Sequence, residues 1–308
     1  MRFRVLALLA VAFAALTGFA QAAEPLVDSA WIKANIGRPN VVFLDVRFGS
    51  DSRQVFERGH IPGAVHSDYG QAGWRKDRDG VPDMLPPLPD LEALIGGLGI
   101  SNRDHVVVVP AGASSTEMGA ATRIYWTFKV IGHDNVSILN GGYNDYKATP
   151  GAQIATGPSS RSAASFKATL RSELLATHTE VKVAASNGTP LIDNRPANQY
   201  RGEDKHPRAD RAGTIPTAVN VPQEKLVDGT GKFADKGTLS RLLQSVGIGN
   251  DREQVVFCNT GHWASLGWFV NSELLGNKKT KLYDGSMTEW SKDATTPVVK
   301  GERTATAD

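Results

Sequence analysis

A chain of 308 residues, 41% hydrophobic and 21% charged, has room for two domains of ordinary size and is not of low complexity. With 34 Lys+Arg against 32 Asp+Glu it carries no basic excess, which leaves no electrostatic case for nucleic acid or an anionic membrane as partner. One cysteine excludes an internal disulfide and a cysteine-rich zinc site; the 7 histidines fall at no ligand spacing, so neither metal nor organic cofactor is expected.

Residues 1–22 read as a secretory signal peptide. Arg2 and Arg4 precede an apolar run over 5–16, and Ala20-Gln21-Ala22 is a small-x-small cleavage site. The run is shorter than the roughly 20 residues a membrane span needs. The expected mature protein is therefore periplasmic or secreted, with no membrane anchor. Oxidising compartments usually pair their cysteines, so the solitary Cys258 suggests a thiol whose reactivity is used.

From 26 to 148, short Val-, Ile- and Leu-rich runs alternate with helical patterns, the signature of a parallel sheet flanked by helices. The spacing predicts strands at 41–45, 64–66, 106–110 and 137–139, and helices at 28–36, 52–58, 88–98 and 118–131. Residues 77–89 read as a proline-rich surface loop. Residues 149–168, rich in Gly, Pro, Ser and Ala at their start, read as a linker. A second half at 169–300 repeats the alternation, with helices expected at 173–185, 197–201, 236–246 and 264–275.

The halves match segment by segment. The Asp-x-Arg strand end at Asp45-Val46-Arg47 returns as Asp193-Asn194-Arg195, and Gly59-His60-Ile61-Pro62 as Gly213-Thr214-Ile215-Pro216. Val107 to Val109 returns as Val255 to Phe257, and Asn140-Gly141-Gly142 as Asp284-Gly285-Ser286. The order is kept throughout. Where the second half has Cys258 the first has Pro110, followed by Ala111-Gly112-Ala113-Ser114-Ser115. No Gly-x-Ser-x-Gly elbow surrounds Ser114 or Ser115, which read as loop residues.

Cys258 stands at the end of an apolar strand, before the turn Asn259-Thr260-Gly261 and a helical pattern. A thiol there meets backbone N–H groups without intrahelical partners and the positive end of a helix, which favour the thiolate nucleophile. His262 is a candidate charge-switchable donor to an anionic substrate, and Trp263 a residue shaping the entrance. Asp193 with Arg195, and Asp45 with Arg47, read as buried ion pairs tying loop to sheet, Arg195 with a possible second role on an anion. His60 reads as a hydrogen-bonded structural histidine, and Ser286 as the cap of the helix carrying Trp290.

Taken together and in order, these motifs resemble the tandem-domain rhodaneses, the thiosulfate and 3-mercaptopyruvate sulfurtransferases. The resemblance covers essentially the whole chain after residue 22. It implies two α/β rhodanese-like domains, the first inactive and the second catalytic, with the site between them. It also implies a Cys258 persulfide that carries sulfur from a small anionic donor to cyanide, a thiol or a protein acceptor. Substrate would be held by Asn259, Thr260, Gly261, His262, Trp263 and Arg195. The loop matches neither the basic pattern of thiosulfate-preferring members nor the Gly-Ser-Gly pattern of mercaptopyruvate-preferring ones. The family's substrate arginine corresponds to Gln199, for which Arg201, Arg208 and Arg211 are the candidate substitutes.

Other cysteine chemistries fit less well. A protein phosphatase needs an arginine six residues after the cysteine, where this chain has Ala264. A thiol–disulfide oxidoreductase needs a second cysteine nearby, and there is none. The alternative from outside enzymology is a protein-fed sulfur carrier.

Overall fold

The computed structural model describes residues 23–306; the expected leader lies outside the described residues. The first half runs β1 (Leu26–Val27), α1 (Ser29–Asn35), β2 (Val41–Asp45), α2 (Ser52–Arg58), β3 (Val65–His66), β4 (Lys76–Arg78), β5 (Val81–Met84), α3 (Leu88–Gly97), β6 (His105–Val109), α4 (Ser115–Val130), β7 (Val136–Leu139) and α5 (Gly142–Ala148). The second runs β8 (Leu175–Ala176), α6 (His178–Asn187), β9 (Leu191–Asp193), α7 (Ala197–Tyr200), β10 (Val219–Asn220), α8 (Lys236–Gln244), β11 (Gln254–Phe257), α9 (His262–Trp268), β12 (Thr280–Tyr283) and α10 (Ser286–Trp290).

Each half is built on one parallel five-stranded sheet, in the order β1-β7-β6-β2-β3 and β8-β12-β11-β9-β10. The orders are the same once strands are matched by sequence, so the duplication is one of fold. Strands such as β6 (HVVVV) are apolar along their length because parallel sheets are covered on both faces. One buried apolar cluster passes through both halves, from Val42 and Ile124 to Leu266 and Phe269. Its crossing point is the contact between α4 and α9, the two helices that follow the matched strands β6 and β11, and Thr122 Oγ1 meets Ser265 Oγ there at 2.7 Å.

Four details differ from expectation. The two-residue edge strands β1 and β8 carry too few residues for any periodicity, and pairing with β7 and β12 creates them. Residues 173–177, expected as helix, hold the end of a 3-10 turn and β8, and α6 starts only at His178, after the N-cap Thr177, whose capping box with Glu180 opens the helix. Residues 77–89 are not a plain loop, because β4 and β5 pair as an antiparallel hairpin through Asp79-Gly80, both at positive φ. The stretch 149–168 is pinned to the first half, with Ala155 bridging His60 in both directions and Ala164 N–H bonded to the Gly96 carbonyl.

Candidate active site

Cys258 follows β11, the central strand of its sheet, at the carboxyl edge where open parallel sheets present ligands. The chain turns into α9 through Gly261, whose φ of +73° is left-handed. A side chain there would also strike the Arg123 guanidinium and the Asp284 carboxylate, so two independent constraints select glycine.

The loop is docked on the start of α10. Met287 and Thr288 donate backbone N–H groups to the carbonyls of Cys258 (3.0 Å) and Asn259 (3.1 Å). Ser286 does not cap α10 as expected. Its left-handed φ of +49° leaves Oγ under the loop, where it accepts from Cys258 N–H (3.0 Å) and Gly261 N–H (3.2 Å) and donates to the Tyr283 carbonyl (2.8 Å). Among the described residues, the N–H groups of Asn259, Thr260, His262 and Trp263 meet no protein acceptor. A turn of free donors of this kind suits an anion.

Cys258 is 1% exposed. With Asn259, Thr260, His262 and Trp263 it walls a cavity of about 340 Å³. The opposite wall comes from the first half, as Tyr69, Arg75, Asp83 and Thr116, while His206 and Arg208 close it from the second. The sequence reading named none of the first-half residues. They share no motif with Cys258, and only the α4–α9 packing and the β4–β5 hairpin carry them to it.

His262 is not a charge switch. The Thr116 carbonyl can only accept, so Nε2–H donates to it (2.9 Å), which leaves Nδ1 to accept from the Tyr69 hydroxyl (2.8 Å). Burial, with Arg75 and Arg123 nearby, pulls the His262 pKa down to about 3. Burial pushes Tyr69 up to about 12. Both groups are therefore neutral across the working pH range, and the pair clamps the cysteine loop to the first half. Gly119 of α4 makes the contact possible, since a Cβ on it would lie 2.7 Å from His262 Nε2. His206 is held below its ordinary value by burial and then by Arg208.

Arg195 is absent from the cavity wall. Its Nε and Nη2 are bonded to Asp193 (Nε–Oδ1 2.9 Å) and the Gly213 carbonyl (2.8 Å) at 1% exposure, which is the structural ion pair expected of it. The first half repeats this unit, with Arg47 on Asp45 and the Gly59 carbonyl. Gln199, at the family's arginine position, accepts from Asn259 Nδ2 at 2.9 Å. Of its candidate substitutes, Arg201 pairs with Glu203 and Arg211 is bonded to carbonyls of 290–296, whereas Arg208 reaches the cavity. His60, 2% exposed, bonds the Phe56 carbonyl and stacks on its ring.

Beneath the loop lies an ion pair between the halves. Arg123 of α4, with no exposed side-chain surface, meets Asp284 at 2.6 Å, and Asp284 Oδ2 also accepts from Leu85 N–H (2.6 Å). In the first half, Pro110 stands where Cys258 does and its loop docks on α5 in the same way, with Tyr143 N–H on the Pro110 carbonyl. Ser114 is the α4 cap, accepting from Glu117 N–H. That loop offers no nucleophile. Among the described residues no three His, Cys, Asp or Glu side chains gather as for a metal, and no helix is long and apolar enough to cross a membrane.

The model of the rhodanese-like domain matches residues 28–149 and 177–293. A Mycobacterium tuberculosis protein named "Putative thiosulfate sulfurtransferase" is 31% identical over 90% of this chain and 98% of its own length. The sulfur carrier protein TtuD of Thermus thermophilus is 32% identical over 91% of this chain and 98% of its own. Among solved structures, SseA of Escherichia coli, described as a 3-mercaptopyruvate sulfotransferase, superposes with a TM-score of 0.75. It is 27% identical, covering 86% of this chain and 99% of that one.

Proposed function

The chain belongs to the rhodanese-like domain family, with the domain in two copies, and from that premise we propose that it is a sulfurtransferase working through a Cys258 persulfide. The supporting observation is one juxtaposition: the single cysteine walls a cavity closed by both halves, on a loop in which the N–H groups of Asn259, Thr260, His262 and Trp263 are unspent among the described residues. In the proposed cycle the Cys258 thiolate attacks the outer sulfur of a donor such as thiosulfate. The donor S–S bond breaks and sulfite leaves with its electron pair. Cyanide, a thiol or an acceptor protein then attacks the outer persulfide sulfur and returns the thiolate. The loop N–H groups would stabilise the anionic persulfide, and Arg75 and Arg208 would draw the anionic donor into the cavity.

In this reading 26–148 is the inactive half, which supplies half of the cavity, and 169–300 is the catalytic half. The 1–22 leader supports a periplasmic or secreted mature protein. Two neighbouring readings share the chemistry. A 3-mercaptopyruvate donor is favoured by the likeness to SseA. A protein-fed sulfur carrier is favoured by the likeness to TtuD and by Gln199, bonded to Asn259 where the family has an arginine.

Intact-mass measurement tests the proposal. Thiosulfate should add one sulfur, about 32 Da, to the wild type; cyanide should remove it, and Cys258→Ser should never gain it. Loading from 3-mercaptopyruvate alone would change the donor. Loading from neither small molecule, but from a persulfidated protein, would select the carrier.

A further inference from the structure

One member of the charged cluster in the cavity, Asp83, has no place in the cycle above. Arg75 comes from the loop ahead of β4, Asp83 from β5 and Arg208 from the second half, and all three line the cavity with Cys258. The Asp83 carboxylate lies between the two guanidiniums, 3.6 Å from Arg75 NH1 and 3.4 Å from Arg208 NH1. Hydrogen-bonded ion pairs close to about 2.8 Å, so both contacts are loose. Among the described residues the Arg75 guanidinium makes no other polar contact: it lies over the Tyr69 ring at 4.5 Å, and Nε is buried without a partner. The Arg208 guanidinium has, among the described residues, only Asp77 besides, at 3.7 Å on the rim. Asp83 is also held at φ +60°, a left-handed conformation that is uncommon outside glycine. Its backbone secures it there, with N–H on Asp77 Oδ1 and carbonyl near Arg123 NH2.

Two under-used arginines beside the cysteine form an anion site, and the chain has placed its own carboxylate in it. We propose that Asp83 is a specificity-determining residue, a built-in competitor for the Arg75–Arg208 anion site that makes the cavity favour singly charged sulfur donors over doubly charged ones. The inference rests on the sulfur-transfer reading and deepens it. An anion that lies beside the carboxylate is repelled in proportion to its own charge, so a dianion is penalised about twice as much as a monoanion, whereas the cost of breaking the Asp83–arginine contacts is the same for both.

Thiosulfate, a dianion, and methanethiosulfonate, a monoanion with the same sulfane sulfur, form the matched pair of probes. Asp83→Asn removes the charge while keeping a side chain that tolerates positive φ. Half-saturating concentrations for loading sulfur onto Cys258 are read by intact mass in single turnover. Asp83→Asn should lower the value about tenfold for thiosulfate and about threefold for methanethiosulfonate, with high salt shrinking both gains. Arg208→Met should raise both values. A ratio between donors that stays fixed, or shifts toward the monoanion, overturns the proposal, because mere structural loosening treats the donors alike. If the wild type loads sulfur from neither donor, the reading of a thiosulfate-type donor fails by itself. Asp83 is then tested in a Cys258→Ser background by calorimetric titration with the same two anions, where unchanged relative affinity again refutes it.

Discussion

Arg123 and Asp284 form the most demanding contact between the halves. Their side chains are 0% and 6% exposed and 2.6 Å apart, so each has given up its water to the other. Replacing Arg123 with Met keeps much of the volume but leaves the carboxylate with one neutral donor, Leu85 N–H. Breaking a buried pair from one side costs about 3–5 kcal/mol, because the survivor is an uncompensated buried charge. In a chain of this size that is a fall of roughly 10 °C in Tm, read by calorimetry or circular dichroism. Asp284→Asn should cost a similar amount, since it keeps the acceptor for Leu85 but strands the guanidinium. The double variant has no buried charge, so it should recover at least about 2 kcal/mol relative to the sum of the single changes, as groups in contact do. Urea titrations at pH 8 would give the cycle. Single costs below about 1 kcal/mol, or an additive cycle, would show that water reaches the pair and would refute the reasoning.

Cys258→Ser exchanges one buried atom for a hydroxyl oxygen and should lower the unfolding free energy by no more than about 1–3 kcal/mol, leaving the protein folded while sulfur loading is lost; loading in the variant would remove Cys258 from the chemistry. Gly119→Ala gains about 1 kcal/mol of helix propensity, yet its methyl collides with a His262 ring fixed at both nitrogens. Sulfur loading should therefore fall at least about tenfold with little loss of stability, and unchanged loading would free His262 from its clamp. Acid should destabilise the fold before any carboxylate titrates. His262 and His105, held by burial at about 3 and about 4, stay neutral in the folded state, whereas the unfolded chain takes up protons below about 6.5. The histidine contribution is therefore complete only above about pH 7.5 and falls as pH drops toward 4, by roughly 1.5 kcal/mol per histidine between pH 6.5 and 5. His133 and His206, also lowered, act in the same direction. Equal urea midpoints at pH 7 and pH 5 would contradict these protonation states.

Much of the fold was readable because it rests on local rules. Apolar strands, capped helices and a twice-repeated motif order are properties of neighbouring residues, so α2 and β2 begin and end where periodicity places them. The paired Asp-x-Arg units were readable as ion pairs for the same reason: both partners lie within three residues. The hairpin at 76–84 carried a signal that went unread, since Asp-Gly at 79–80 is a strong mark of a two-residue turn. β1 and β8 carried none, because two residues have no periodicity and only a neighbouring strand defines them. Ser286 was misread for a related reason: a serine at a helix start is usually its cap, and nothing local reveals a left-handed turn that leaves the hydroxyl under a loop 28 residues earlier.

The sequence alone determined that there would be two copies of one α/β unit, and that the only cysteine would stand at the end of an apolar strand of the second. Both follow from residue order, which the chain carries before it folds. Tertiary structure decided what surrounds the thiol. The contact of α4 with α9 brings Thr116, Gly119 and Arg123 beside His262 and Asp284, and the hairpin brings Asp83 to Arg208. These partners are separated by 125 to 161 positions, and no short-range rule couples residues so distant. Their meeting depends on one apolar core closing through both halves. That same closure strips His262 of its charge and sets Asp83 between two arginines.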